Sequence, residues 1–326
     1  MKGIVVIMID GHGRKIDYIR ISLTDLCNLR CRYCIPENGV EKKSHFDILR
    51  FEEIVDIVKA SVKLGITKVR LTGGEPLVRK GVVSLVQMIR NVSGIRDITM
   101  TTNATMLEEF AGQLKEAGLT RVNISLDTLN TQKYEYITRG GDIGKALRGI
   151  EAAKKAGLGP IKINTVLMKG FNDDEIEDFV CLTQSESMDV RFIELMPIGG
   201  CAGSLVDTDM MMPCKEVLKR VPTLVREQVQ ESRVSVNYRL PGAKGRVGLI
   251  SPINHQFCDR CNRLRVTADG KIKPCLHSDD EINIREMIGG GQTYQQVLEH
   301  AVMQKPSAHR LDENVYIDRC MNSIGG

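Results

Sequence analysis

The sequence predicts an α/β protein built on a full or partial (β/α) barrel. Two observations lead there. Short β-like runs alternate with amphipathic helical stretches through residue 198, which implies right-handed βαβ units on a parallel sheet. About six such units favour a barrel over an isolated small fold. An open doubly wound sheet is the alternative, but no G-x-G-x-x-G follows the first strand, so a Rossmann-type nucleotide site has no support.

Hydrophobic periodicity orders the elements. A strand at Ile16–Leu23 precedes a helix at Phe51–Leu64. Strand Lys68–Thr72 precedes helix Val82–Asn91. Strand Ile95–Thr101 leads to helix Leu107–Ala117, and strand Arg121–Leu126 to helix Ile143–Ala156. Strand Ile161–Met168 leads to helix Asp174–Gln184, and Asp189–Leu195 is the last strand of the series. Gly65, Gly118 and Gly157 follow three of these helices, where a left-handed cap belongs. After Met196-Pro197 the pattern breaks, and Gly, Pro and polar residues dominate Ile198–Pro213. Residues 1–198 therefore read as the barrel, and 199–326 as a smaller region.

Composition narrows the function. The chain has 326 residues, 42% hydrophobic and 26% charged, with a formal net charge of +4 from 45 basic and 41 acidic residues. That balance is too mild for a nucleic-acid partner, yet leaves room for a local basic pocket. The apolar stretch Gly3–Asp10 is too short for a signal peptide, and no run approaches the roughly 18 apolar residues of a membrane span. The chain reads as cytoplasmic. Thiols there stay reduced, so clustered cysteines point to metal or catalysis. Six of the ten cysteines form two clusters, and Cys181, Cys201, Cys214 and Cys320 read as ordinary packed or surface residues.

The first cluster, Cys27, Cys31 and Cys34, has the spacing C-x3-C-x2-C directly after the first strand. Three thiolates can ligate three irons of a 4Fe–4S cube and leave the fourth iron open, unlike the four-cysteine ferredoxin clusters. An open metal position suits catalysis. A structural zinc, or a cluster with a distant fourth cysteine, is the plainer reading. This segment, with Tyr33 before the last cysteine, resembles the radical S-adenosylmethionine (SAM) superfamily. Other motifs fall at the C-terminal ends of the presumed strands, the face that carries the active site in barrels. They are Gly73-Gly74-Glu75-Pro76, Thr101-Thr102-Asn103, Ser125-Leu126-Asp127 and Met196.

The second cluster, Cys258, Cys261 and Cys275, has the spacing C-x2-C-x13-C. On chemistry alone, zinc completed by His277 or His255 rivals a second 4Fe–4S cluster. Arg263 and Arg265 share a face of an extended segment beside it, and arginine forks match phosphate oxygens.

Together the two clusters resemble the GTP 3′,8-cyclase family, the molybdenum cofactor biosynthesis protein A type, over nearly the whole chain. The markers are Arg20–Cys27, Lys68–Pro76, Arg191–Pro197, Cys258–Cys275 and the terminal Gly325-Gly326. The resemblance implies a partial (βα)6 TIM-like barrel of the radical SAM type, followed by a C-terminal auxiliary-cluster region. It implies two 4Fe–4S clusters, SAM as cofactor, and conversion of GTP to (8S)-3′,8-cyclo-7,8-dihydroguanosine 5′-triphosphate, the first step toward molybdopterin. In the family a deoxyadenosyl radical takes hydrogen from the ribose C3′, and the C3′ radical attacks guanine C8. A homodimer, an external electron donor and hand-over of product to the next enzyme are also implied.

By the same resemblance, Tyr33, Gly73, Gly74, Glu75, Ser125 and Met196 contact SAM. Arg20, Arg70, Thr101, Lys162, Arg263, Leu264 and Arg265 handle GTP, and Arg20, Gly325 and Gly326 assist catalysis. Arg70 and Lys162 could instead simply ion-pair with a neighbour. Two departures stand out: Ala104 where the family has glycine after Thr102-Asn103, and an unusual Cys201–Cys214 segment with Met210-Met211-Met212. The competing readings are a radical SAM peptide-modifying enzyme with an auxiliary cluster, and a non-catalytic zinc-binding scaffold.

Overall fold

The computed structural model describes residues 7–44, 46–198, 208–228, 234–253, 257–311, 317 and 319–325. His255, Cys201, Gly326 and much of the Ile198–Pro213 stretch lie outside the described residues. The first half alternates β1 (Tyr18–Ser22), α1 (Phe51–Lys63), β2 (Lys68–Thr72), α2 (Val82–Arg90), β3 (Asp97–Thr102) and α3 (Leu107–Glu116). It continues through β4 (Arg121–Ser125), α4 (Thr131–Thr138), α5 (Ile143–Lys155), β5 (Ile161–Leu167), α6 (Ile176–Ser185) and β6 (Met188–Glu194).

The sequence reading missed α4. It starts at Asn130, whose side chain accepts from the backbone N–H groups of Gln132 and Lys133 at 2.9 and 3.1 Å, an ordinary N-cap. Gly65, Gly118 and Gly157 all take positive φ after their helices.

The second half is more regular than its composition suggested. It contributes α7 (Glu216–Arg220), β7 (Val225–Arg226), β8 (Val236–Arg239), β9 (Val247–Ile250) and β10 (Arg263–Val266). Then come β11 (Lys271–Lys273), β12 (Ile282–Asn283), α8 (Ile284–Gly289) and α9 (Tyr294–Met303). All strands join one sheet in the order β12-β11-β10-β1-β2-β3-β4-β5-β6-β9-β8-β7. Strands β1 to β6 are parallel neighbours in chain order. β10 adds parallel to β1 and β9 adds parallel to β6, so residues after 198 extend both edges of the barrel sheet.

Period-2 alternation divides the strands. Ile19, Ile21, Val69, Leu71, Ile98, Met100, Val122 and Ile124 are buried in the core that the helices cover. The alternate residues, among them Arg20, Arg70, Thr101, Asn123 and Ser125, line a cavity on the concave side. No helix among the described residues is long and apolar enough to cross a membrane.

Candidate active site

The concave face encloses a cavity of about 500 Å³. Side chains from β1 to β6 and β10 reach it, along with both cysteine clusters.

The first cluster sits on the loop after β1. Backbone N–H groups of Cys34 and Ile35 donate to the Cys31 carbonyl at 2.9 and 3.0 Å and turn the loop tightly. The Cys27 sulfur accepts from the Leu29 N–H at 3.3 Å and from Asn103 Nδ2 at 3.7 Å. Burial pushes the thiols up, Cys27 to about 11 and Cys34 to about 12, and the Cys31 thiol well above its ordinary value. Each neighbouring sulfur adds to the effect on Cys31. Three such thiols ionise together only beside compensating metal charge, so the donor set fits a cluster. Among the described residues no three His, Cys, Asp or Glu side chains converge on a single-ion position; a cube takes one thiolate per iron.

The Gly-Gly-Glu-Pro turn clamps this loop. Gly74 N–H donates to the Thr24 carbonyl at 2.7 Å, and Glu75 N–H to that of Leu26 at 2.9 Å. A Cβ at Gly74 would stand 2.3 Å from the Leu26 oxygen, so only glycine allows this approach. Glu75 is buried and does not line the cavity. Its carboxylate accepts from Thr102 Oγ1 at 2.8 Å, Asn103 N–H at 2.7 Å and Leu77 N–H at 3.1 Å. Burial lifts its pKa to about 7. Tyr33 donates its hydroxyl to Asp127 Oδ2 at 2.6 Å, and Val166 N–H holds the other oxygen at 2.8 Å. Burial raises Asp127 to about 6.

Cys258, Cys261 and Cys275 line another part of the same wall. Lys305, itself buried, braces them: Nζ donates to the carbonyls of Arg263 and Pro274 at 2.8 and 2.7 Å and lies 4.0 Å from Cys261 Sγ. Burial alone would raise Cys261, but Arg263 and Lys305 outweigh it and bring the thiol to about 7. Arg14 Nη1 holds the Cys258 carbonyl at 2.8 Å. His277 also faces the cavity, and burial together with His309 pushes it down to about 3.

Cations complete the wall. In register, Arg265 pairs with Arg20, Arg20 with Arg70, Arg70 with Thr99, and Thr99 with Arg121. Burial and the neighbouring Arg265 and Arg70 push Arg20 well below its ordinary pKa. Burial is also the leading cause that lowers Arg191 and Arg265 to about 10. Packing like charges this way is costly until an anion enters.

Most anticipated residues meet here: Arg20, Tyr33, Arg70, Gly73, Gly74, Thr101, Ser125, Met196, Arg263 and Arg265 all line the cavity. Others do not. The Leu264 side chain points to the helix-covered face and is fully buried in the core, because it alternates with Arg263 and Arg265. Lys162 ion-pairs with Asp189 at 2.9 Å. Gly325 meets the site through its carbonyl, which accepts from Arg265 Nη1 at 2.9 Å. Sequence reasoning assigned no role to Tyr18, Arg121, Asn123, Asn164 or Arg191, which also line the cavity. Their signal was strand alternation, readable only once register was known.

A parallel sheet curled around a cavity, with three cysteines on the loop after its first strand, defines a protein of the radical SAM class. The model for the radical SAM superfamily matches residues 21–182, and the model for molybdenum cofactor synthesis C matches 188–311. The crystal structure of Streptococcus suis SuiB is similar in fold, with a TM-score of 0.62 at 14% identity. That match covers 84% of this chain and 65% of the longer SuiB chain. Native anSMEcpe with bound AdoMet aligns at a TM-score of 0.54 and 16% identity, covering 89% of this chain and 81% of that one. The curated GTP 3′,8-cyclase of Peptoclostridium acidaminophilum is 52% identical, covering 98% of each chain. That of Petrotoga mobilis is 48% identical over 98% of this chain and 100% of its own. The chain belongs to the GTP 3′,8-cyclase family.

Proposed function

We propose that this chain is a cytoplasmic GTP 3′,8-cyclase that forms (8S)-3′,8-cyclo-7,8-dihydroguanosine 5′-triphosphate, the first step of molybdenum cofactor biosynthesis. The carrying observation is that two cysteine triads and a row of arginines line one cavity. Cys27, Cys31 and Cys34 would hold a 4Fe–4S cluster that keeps an iron for SAM, and Cys258, Cys261 and Cys275 a second. When bound, the first cluster and SAM supply the one-electron chemistry that activates the substrate ribose.

The chain's own residues bind, orient and exclude water. Arg20, Arg70, Arg263 and Arg265 receive the triphosphate, whose roughly four negative charges offset their mutual repulsion. Thr101 contacts the same substrate one step further along the strands. Lys162, paired with Asp189 outside the cavity, supports the subsite only indirectly, and Leu264 serves it only by holding the arginines on either side. Tyr33, Gly73, Gly74, Ser125 and Met196 take SAM, while Glu75 acts indirectly by fixing the Asn103 loop. Gly325 closes the pocket against Arg265, and Gly325 and Gly326 assist the chemistry. Residues 1–198 thus carry the SAM side and 199–326 the auxiliary cluster. Burial of both ligands in one cavity supplies proximity and keeps reactive species from water.

In this reading the protein works as a homodimer, draws on an external electron donor, and passes its product to the next enzyme of the pathway. It needs neither nucleic acid nor membrane. Metal analysis tests the cofactor assignment. Anaerobically reconstituted protein should hold about eight irons per chain, four for each cube. Zinc without iron or sulfide would contradict it.

A further inference from the structure

Asn123 carries a polar side chain that the fold itself does not use. It stands mid-strand in β4, is 0% exposed and lines the cavity. Neither its Oδ1 nor its Nδ2 has a hydrogen-bond partner. Thr101 on β3 is its register neighbour, lines the same cavity, and also has an unpartnered Oγ1. A buried polar group left unsatisfied is costly. Such groups call for a specific explanation, and a ligand that completes them provides one here.

Position along the strand selects that ligand. The inward residues of β4 are Arg121, Asn123 and Ser125, spaced about 6–7 Å apart by strand geometry. Arg121 continues the register row of Arg20, Arg70 and Thr99. Beyond Ser125, Asp127 bonds Tyr33 of the first cysteine loop. Asn123 therefore lies between the phosphate-attracting row and the SAM side. A carboxamide with a free donor and a free acceptor matches a hydroxyl, which both donates and accepts. In a nucleoside triphosphate the hydroxyl-bearing part next to the phosphates is the ribose.

We infer that Asn123, with Thr101 beside it, reads a ribose hydroxyl of the substrate and selects ribonucleotides over deoxyribonucleotides. The inference rests on the GTP reading above and deepens it. SAM also carries a ribose, but the adjacent arginine row favours the triphosphate.

The test is calorimetric binding of GTP, 2′-deoxy-GTP, 3′-deoxy-GTP and SAM to anaerobically reconstituted wild type and Asn123→Ala. The wild type should bind at least one deoxynucleotide about tenfold more weakly than GTP, the value of one lost hydrogen bond. Asn123→Ala should bind GTP and that deoxynucleotide alike, with SAM affinity unchanged. Asn123→Leu, which keeps bulk without polar atoms, repeats the comparison if alanine disturbs folding. Discrimination retained in both variants, equal affinities in the wild type, or a loss confined to SAM would overturn the inference. Failure of the wild type to bind GTP at all would overturn the functional reading, and this inference with it.

Discussion

Arg265 donates through Nη1 to the carbonyl oxygen of Gly325 at 2.9 Å, and both residues are buried. The bond ties the C-terminal tail to the row of cations, because Arg265 is also the register partner of Arg20. Gly325 has a φ of +70°, and a Cβ there would approach Thr72 Oγ1 to 2.7 Å. Gly325→Ala is therefore strained twice, by conformation and by contact. The variant should lose about tenfold or more in cyclised product, with iron content unchanged. Chromatographic product assay beside iron analysis checks both halves.

The tail has a second anchor upstream. Arg319 Nη2 donates to Asp269 Oδ2 and to Glu281 Oε2, both at 2.9 Å. Burial would raise Asp269, but the bonds from Arg319 and Thr267 outweigh it and hold the carboxyl far below the usual carboxylate range. A depressed pKa stabilises the fold fully above the unfolded value, about 3.9, and is lost as pH falls through the folded one. Amide exchange at residues 319–325 should thus stay slow from neutral pH down to about 5. Asp269→Asn should speed it already at neutral pH. Unchanged protection in that variant would remove the anchor.

Cys275→Ala separates the two cysteine sets. It should keep SAM cleavage at the first set and lose cyclised product, with iron falling from about eight to about four per chain. Full cyclase activity in this variant would end the role given to the second set.

Ala104 occupies the left-handed region, with a φ of 64°, and is fully buried. That conformation costs a non-glycine residue roughly 1–2 kcal/mol, while burying one methyl returns about 0.8 kcal/mol. Strain wins by a small margin. Ala104→Gly should raise the thermal midpoint by about 1–3 °C, read by calorimetry on the metal-free protein. A lower midpoint would mean the methyl packs better than its backbone suffers.

Much of this was legible before the fold was known, for identifiable reasons. Lys68–Thr72 is the strand that the sequence predicts, because its alternation and the following Gly-Gly turn agree. The cysteine triads were visible through spacing alone. The short strands β7 to β12 were not, since segments of two to four residues such as Val225–Arg226 and Arg263–Val266 carry too little periodicity. α4 was overlooked because its apolar face is slight, although Asn130 marked its start. Lys162 offered no clue that Asp189 would neutralise it, because that pairing depends on the β5–β6 register. Glu75 was a plausible ligand by motif, yet three donors converge on its carboxylate only after β3 is in place.

The most direct measurement is one anaerobic turnover experiment. The protein is reconstituted with iron and sulfide, supplied with dithionite, SAM and GTP, and its products are analysed by mass spectrometry. The account predicts 5′-deoxyadenosine together with a cyclised isomer of GTP. Deoxyadenosine formed at the same rate with or without GTP, and no nucleotide product, would contradict it.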